Sequence, residues 1–352
     1  MNGIRRLGLC GLAVLALAAT AAGQDEYEWK AGKWVKLAEP AKGTPAGELA
    51  IIRRHFEKGW NRTTVRAANK FVKKYPIEPE SEEVMSLAGR AEIRRGRYFQ
   101  AYDWFEKQIT QFPNGQYFER ALEADFEIAN AFLAGKKRIV LKIIYLSARE
   151  DGLMILERIV RHAPGSSLAE KSLIRIADYH FQKTDYDEAV QAYDQYLEVF
   201  SRSERASYAM LQAARARHGA FRGIRYDSAP LLDAQQRYRM FAKRFPLAAE
   251  RANVPGILED IRSTLAHKIY AAGEFYERIK RTGPAKFYYK QVIRQYPQTQ
   301  WEARSRQALL RLGEPVPDAG APPLPASTTQ PAGATIAPAG PEGRAIEEGD
   351  KR

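Results

Sequence analysis

SLAEKSLIRIADYHFQKTDYDEAVQAYDQYLEVF, residues 167–200, decides the fold. Leu173, Ile176, Ala177, His180 and Phe181 recur at helical spacing, and after Asp185 and Tyr186 a second periodic run carries Ala189, Tyr193, Tyr196 and Leu197. The stretch predicts a helix, a tight turn and a second helix. Each apolar stripe is too narrow to enclose a core alone, so every pair must stack on a neighbouring pair.

The rest of the chain repeats this plan. An aromatic or small residue followed by proline closes a helix at Tyr75-Pro76, Phe112-Pro113, Ala163-Pro164, Phe245-Pro246 and Tyr296-Pro297, with Phe200-Ser201 as the one substitution. Proline cannot extend the hydrogen-bond ladder and restrains the residue before it, so six endings predict six repeats. Counting back from three of these endings aligns small residues (Gly89 and Ala101, Ala177 and Ala189, Gly273 and Ala285) with aromatics (Phe105, Tyr193, Tyr289). The small residues let paired helices approach, and the aromatics fill the space between pairs. The pattern resembles the tetratricopeptide repeat, whose period of about 34 residues it follows with insertions. The expected class is all-α, a tetratricopeptide-repeat solenoid of helix pairs spanning 45–313, with Trp301 to Leu312 as a capping helix.

Outside this body the reading is simpler. Residues 1–23 pair Arg5 and Arg6 with a short apolar run, Leu7 to Ala19, and small residues through Gly23, the pattern of a secretory signal. Cys10, the single cysteine, is preceded by Leu9 inside that run and reads as a signal-peptide residue rather than a lipidation site, leaving the mature chain without disulfide or thiolate metal site. Residues 24–44 form a hairpin and linker, in which Tyr27, Trp29 and Trp34 alternate with polar residues. Residues 314–352, rich in proline, alanine and glycine, read as a disordered tail.

Two connections exceed the repeat. Gly135 to Glu150 sets Lys136, Lys137 and Arg138 before Ile139, Val140, Leu141, Ile143, Ile144 and Tyr145. Two readings stand for it: a partner-docking or membrane-touching edge, or an extended first helix packed on the body. Gly219 to Ser228, with Gly223, reads as an ordinary loop.

The formal net charge of +13 leaves three classes of partner open, nucleic acid, an anionic membrane surface or acidic proteins, beside a solvated basic surface with no specific partner. Export makes nucleic acid the least expected. Catalytic constellations are missing from the sequence. There is no Gly-x-Ser-x-Gly elbow and no phosphate-cradling glycine loop, and His55, His162, His180, His218 and His267 lack the spacing of a zinc site. No enzyme activity, cofactor or metal is expected.

The final repeat narrows the class. Leu265 to Tyr270, Gly273-Glu274-Phe275-Tyr276 and Phe287 through Tyr296-Pro297 resemble the C-terminal repeat of the BamD (YfiO) family, and Gly59, Ala67, Phe71, Tyr75 and Pro76 look like its first repeat. The resemblance implies a periplasmic scaffold at the inner face of the outer membrane, part of the machinery that inserts β-barrel proteins. It further implies that N-terminal repeats take extended clients and C-terminal ones the β-barrel assembly factor. The sequence departs from that family in lacking a lipidation cysteine and in carrying the 135–150 insertion and the tail. A soluble periplasmic adaptor for envelope maintenance or secretion, or a peptidoglycan-associated scaffold, therefore stand as alternatives. The candidate peptide-binding residues are Arg53, Phe56, Arg90, Ile93 and Arg94, where arginines would grip a terminal carboxylate and Phe56 and Ile93 would shelter a terminal aromatic.

Overall fold

The structure is a computed structural model that describes residues 27–30, 33–36, 41, 43–140 and 144–317. The expected signal, with Cys10, and most of the expected tail lie outside these residues.

A short hairpin comes first. β1 (Tyr27–Lys30) pairs antiparallel with β2 (Lys33–Lys36), setting Trp29 opposite Trp34. Then follow α1 (Pro45–Glu57), α2 (Asn61–Lys74), α3 (Pro79–Arg94), α4 (Tyr98–Gln111) and α5 (Phe118–Leu133). A second hairpin, β3 (Lys137–Val140) with β4 (Ile144–Ser147), precedes α6 (Arg149–His162), α7 (Ser167–Gln182), α8 (Tyr186–Val199), α9 (Ala206–Gly219) and α10 (Ala229–Arg244). The short α11 (Pro246–Arg251), the long α12 (Val254–Arg278), α13 (Thr282–Gln295) and α14 (Gln300–Arg311) complete the described chain.

Six helix pairs result: α1 with α2, α3 with α4, α5 with α6, α7 with α8, α9 with α10, and α12 with α13. Each of the six predicted endings closes the second helix of a pair, because Tyr75, Phe112, Ala163, Phe200, Phe245 and Tyr296 are the C-caps. The described residues form two compact units, one from those up to Ile128 together with Arg138–Leu146, the other from Ala129–Lys137 together with those from Ser147 onward.

Within each unit the packing follows from side-chain size at fixed distances from the pair's end. Twelve residues before each closing position stand Thr64, Ala101, Gly152, Ala189, Ala234 and Ala285, small or short side chains in every pair and all buried. Eight residues before it stand Ala68, Phe105, Leu156, Tyr193, Tyr238 and Tyr289, likewise buried. The fit is close. A Cβ at Gly89 would come 2.6 Å from the Phe105 ring, and one at Gly273 would come 2.6 Å from the Tyr289 ring. The bare backbone at each glycine is therefore what the aromatic lies on, and burying such a side chain contributes roughly 1.5–3 kcal/mol.

The turn inside a pair has its own fixed chemistry. At the end of α3, Gly96 N donates to Ile93 O at 2.8 Å and Arg97 N to Glu92 O at 2.9 Å, which satisfies the last carbonyls through a left-handed residue. The same bonds recur at Gly59, Thr184 and Lys280. Thr184 (φ 62°) and Lys280 (φ 58°) hold this conformation with a Cβ, at a cost that glycine avoids. Lys280→Gly should therefore raise the urea midpoint of unfolding, through a gain of about 0.5–1 kcal/mol in stability once the added freedom of the unfolded chain is deducted. A lower midpoint would show that Lys280 makes a stabilising contact that outweighs its backbone cost.

The insertion differs from one expectation. It is not an extended first helix. α5 ends at Leu133, two residues before Gly135, whose φ of 102° favours glycine, and β-branched Ile139, Val140 and Ile144 suit the two strands that follow. Leu141 and Ile143 lie outside the described residues, so the docking-edge reading stands as a proposal. Gly219 to Ser228 is a loop apart from the last residue of α9, with Gly223 at φ 112°. Periodicity alone missed α11 and the early start of α12, which Asn253 opens in the left-handed region.

Candidate functional site

The five candidate residues lie on α1 and α3, the first helices of the first two pairs. α1 begins at Thr44, whose Oγ1 accepts from Gly47 N at 3.2 Å, and it buries Leu49, Ile52 and Phe56 against Val84, Leu87, Ala88 and Ala91 of α3. That packing brings positions 53 and 56 of α1 to positions 83, 90 and 94 of α3.

Arg53 and Glu83 make a two-pronged ion pair, Nε to Oε1 and Nη2 to Oε2, both at 2.6 Å. Tyr117 Oη also donates to Glu83 Oε2 at 2.9 Å. Burial works against the charged form of Glu83, but the bonds from Arg53 and Tyr117 outweigh it and hold the carboxyl below its ordinary range. Arg53 is thus held by a neighbour on α3 and serves as the brace of the site.

Phe56 is 7% exposed, and two guanidinium groups cover it. Arg94 Cζ lies 3.9 Å from the ring centroid and Arg90 Cζ 5.2 Å, while Arg94 Nη1 donates to Phe56 O at 3.1 Å. Ile93 is half-buried beside them, and Arg90 and Arg94 are exposed. The aromatic therefore does not wall an open pocket. It is a platform on which two arginines one helical turn apart are stacked and oriented. Neither arginine has an acidic partner among the described residues, so each keeps outward N–H donors in a fork that matches a carboxylate. Sequence spacing placed these five residues on one surface; the partner of Arg53 could not be read from it, because Glu83 is 30 residues away.

Other polar clusters tie helices together. Arg237 bridges Asp194 (2.8 and 2.9 Å) and Asp233 (3.1 Å), and Arg217 joins Asp233 (2.6 Å) to Asp187, tying α8, α9 and α10 together. His267 stacks on Trp301 at 3.9 Å, and His218 meets Tyr238 edge-on; burial lowers the pKa of both histidines, which favours their neutral form. Among the described residues no group of three or more His, Cys, Asp or Glu is placed to hold a metal ion. In the sixth pair Tyr276 and Tyr288 stack, Phe275 and Phe287 lie beside them and are exposed, and Ile279 is exposed as well.

Fold and surfaces together define a repeat scaffold of the tetratricopeptide kind. The model of the YfiO family, described as an outer membrane lipoprotein, matches residues 145–314, a little under half of the chain, and over that stretch the resemblance read from the final repeat is shown. The opening repeat lies outside the match. None of the curated proteins matches the chain. Among solved structures, a tetratricopeptide repeat protein from Parabacteroides merdae is 13% identical, with a TM-score of 0.33, covering 76% of this chain and 98% of its own. The MamA protein is 13% identical, with a TM-score of 0.33, covering 58% and 94%, and BtubC (BKLC) from P. vanneervenii is 14% identical, with a TM-score of 0.31, covering 78% and 97%. No helix among the described residues is long and apolar enough to cross a membrane.

Proposed function

We propose that the chain is a non-enzymatic periplasmic scaffold, similar to the BamD component of the outer-membrane β-barrel assembly machinery, which holds the C-terminal ends of extended client proteins on the α1–α3 face. The observation that carries this reading is the pair of stacked, acid-free guanidinium groups of Arg90 and Arg94 on Phe56. A carboxylate laid across both would gain parallel charge-assisted hydrogen bonds, with Ile93 beside it for a terminal apolar side chain. The exposed Phe275, Ile279 and Phe287 of the sixth pair, which falls within the family match, suit the assembly factor. In this reading the chain is exported and works at the inner face of the outer membrane.

A labelled peptide ending in phenylalanine with a free carboxylate should bind the purified chain and bind more weakly when amidated. Arg90→Ala with Arg94→Ala should cost at least about tenfold in affinity, since contacts to charged groups are worth about 1.5–3 kcal/mol. Arg90→Lys with Arg94→Lys keeps the charge but loses the fork, and should fall between the two. Equal binding of acid and amide would eliminate the carboxylate grip.

A further inference from the structure

We infer that the outward face of α2 is a docking surface for anionic phospholipid bilayers. This goes beyond the client reading and shares no residue with it, so either can fail alone.

The inference starts from which side of α2 is left over after packing. α2 buries Thr64, Val65, Ala68, Phe71 and Val72 in the core. Arg62, Arg66, Lys70 and Lys73 point the other way, within an arc of about 80° at about 100° per residue, and all four are exposed. None has an ion pair or hydrogen bond among the described residues, whereas Lys74, off this arc, is tied to Glu48 at 2.8 Å. α2 contains no acidic residue at all. Four unneutralised cations along about 16 Å of helix repel one another, and a sheet of negative charge relieves that repulsion.

The ends of the stripe favour a bilayer over an acidic protein or a nucleic acid. Trp60, at the N-cap, is 51% exposed with Lys58 Nζ 5.0 Å above its ring, and Ile77, just past the C-cap, is 85% exposed. Tryptophan at the edge of a basic helical face is the side chain that settles among lipid headgroups, and an exposed aliphatic beside it reaches toward the acyl chains. The surface is a helix flank with large apolar residues at both tips, which suits a flat, charged, partly apolar plane.

The test uses the chain from Gln24, which keeps every described residue, and sedimentation with vesicles of phosphatidylcholine alone or an equimolar mixture with phosphatidylglycerol. Binding is expected only to the mixed vesicles and is expected to disappear at high salt. Replacing Arg62, Arg66, Lys70 and Lys73 with Gln should weaken it by about 100-fold or more, since each cation near an anionic surface contributes about fivefold. The same change in charge at Arg202, Arg239, Lys243 and Arg251, exposed residues of the other unit, should leave binding within a few-fold of the parent. Trp60→Ala should weaken binding by a few-fold and remove the blue shift that vesicles induce in tryptophan emission. The inference is overturned if the α2 variant binds like the parent, if the control variant loses as much, or if both vesicle types bind equally. It is also overturned if polyglutamate displaces the chain from vesicles at equal charge concentration, which would assign the face to an acidic polypeptide.

Discussion

Ala189→Trp is expected to lower the thermal unfolding midpoint by on the order of 10 °C. Ala189 is fully buried, and within the same pair Ala177 and Tyr193 are fully buried too. An indole placed there must push the two helices apart or leave its rotamer, at about 3 kcal/mol or more. At ~2–4 °C per kcal/mol for a body of this size, the shift lies well outside the error of a melting curve. Gly89 and Gly273 show how little room such positions leave, since even a methyl group there would strike a ring. Ala189→Ser, nearly the same size, should shift the midpoint far less. A tryptophan variant that melts with the parent would mean that position 189 faces solvent and that the register of the fourth pair is wrong.

The same logic explains which parts of the structure could be read directly. Proline after a C-cap and a small residue twelve positions earlier are local signals, fixed by backbone geometry and by the distance between paired helices. The endings sufficed to predict six pairs, with the small residues aligned at three of them, but not the start of α12. The hairpin at β3 and β4 was harder, because a run such as Ile139, Val140 and Ile144 has no helical or alternating period of its own, and only Gly135 marks the break. α11 was missed because its six residues are too few to show a period.

At the candidate site, the spacing of Arg90 and Arg94 was legible, but two things were not. The pairing of Arg53 with Glu83 and the covering of Phe56 depend on how α1 lies against α3. Neither helix records that arrangement in its own sequence. The basic face of α2 came from the structure rather than from the sequence pattern, because Arg62, Arg66, Lys70 and Lys73 stand out together once α2 is seen to bury its opposite side. It became informative because no acidic group among the described residues pairs with it.

Alkaline pH should unfold the chain through its buried tyrosines. Tyr193 is fully buried and its Oη donates to Asp178 Oδ1 at 2.6 Å; Tyr289 is fully buried and donates to Glu277 Oε2 at 2.6 Å. Burial foremost, and then the bond to a carboxylate, raises both phenols well above the ordinary value near 10. In the folded chain they keep their protons at a pH where the unfolded chain has released them. The stabilisation is therefore complete below about pH 10 and is lost as pH rises above it, at about 1.4 kcal/mol per pH unit for each phenol. Tyr196, Tyr208, Tyr238, Tyr270 and Tyr296 are shifted in the same direction and steepen the fall. Urea unfolding followed from neutral pH to about pH 11.5 should show this alkaline limb. Tyr193→Phe with Tyr289→Phe lowers stability at neutral pH, because Asp178 and Glu277 each lose a donor. Yet the double variant should lose about 2.7 kcal/mol per pH unit of slope above pH 10, since phenylalanine has no proton to release. A double variant whose alkaline limb is as steep as the parent's would place the titration elsewhere and show that the two phenols reach solvent in the folded chain.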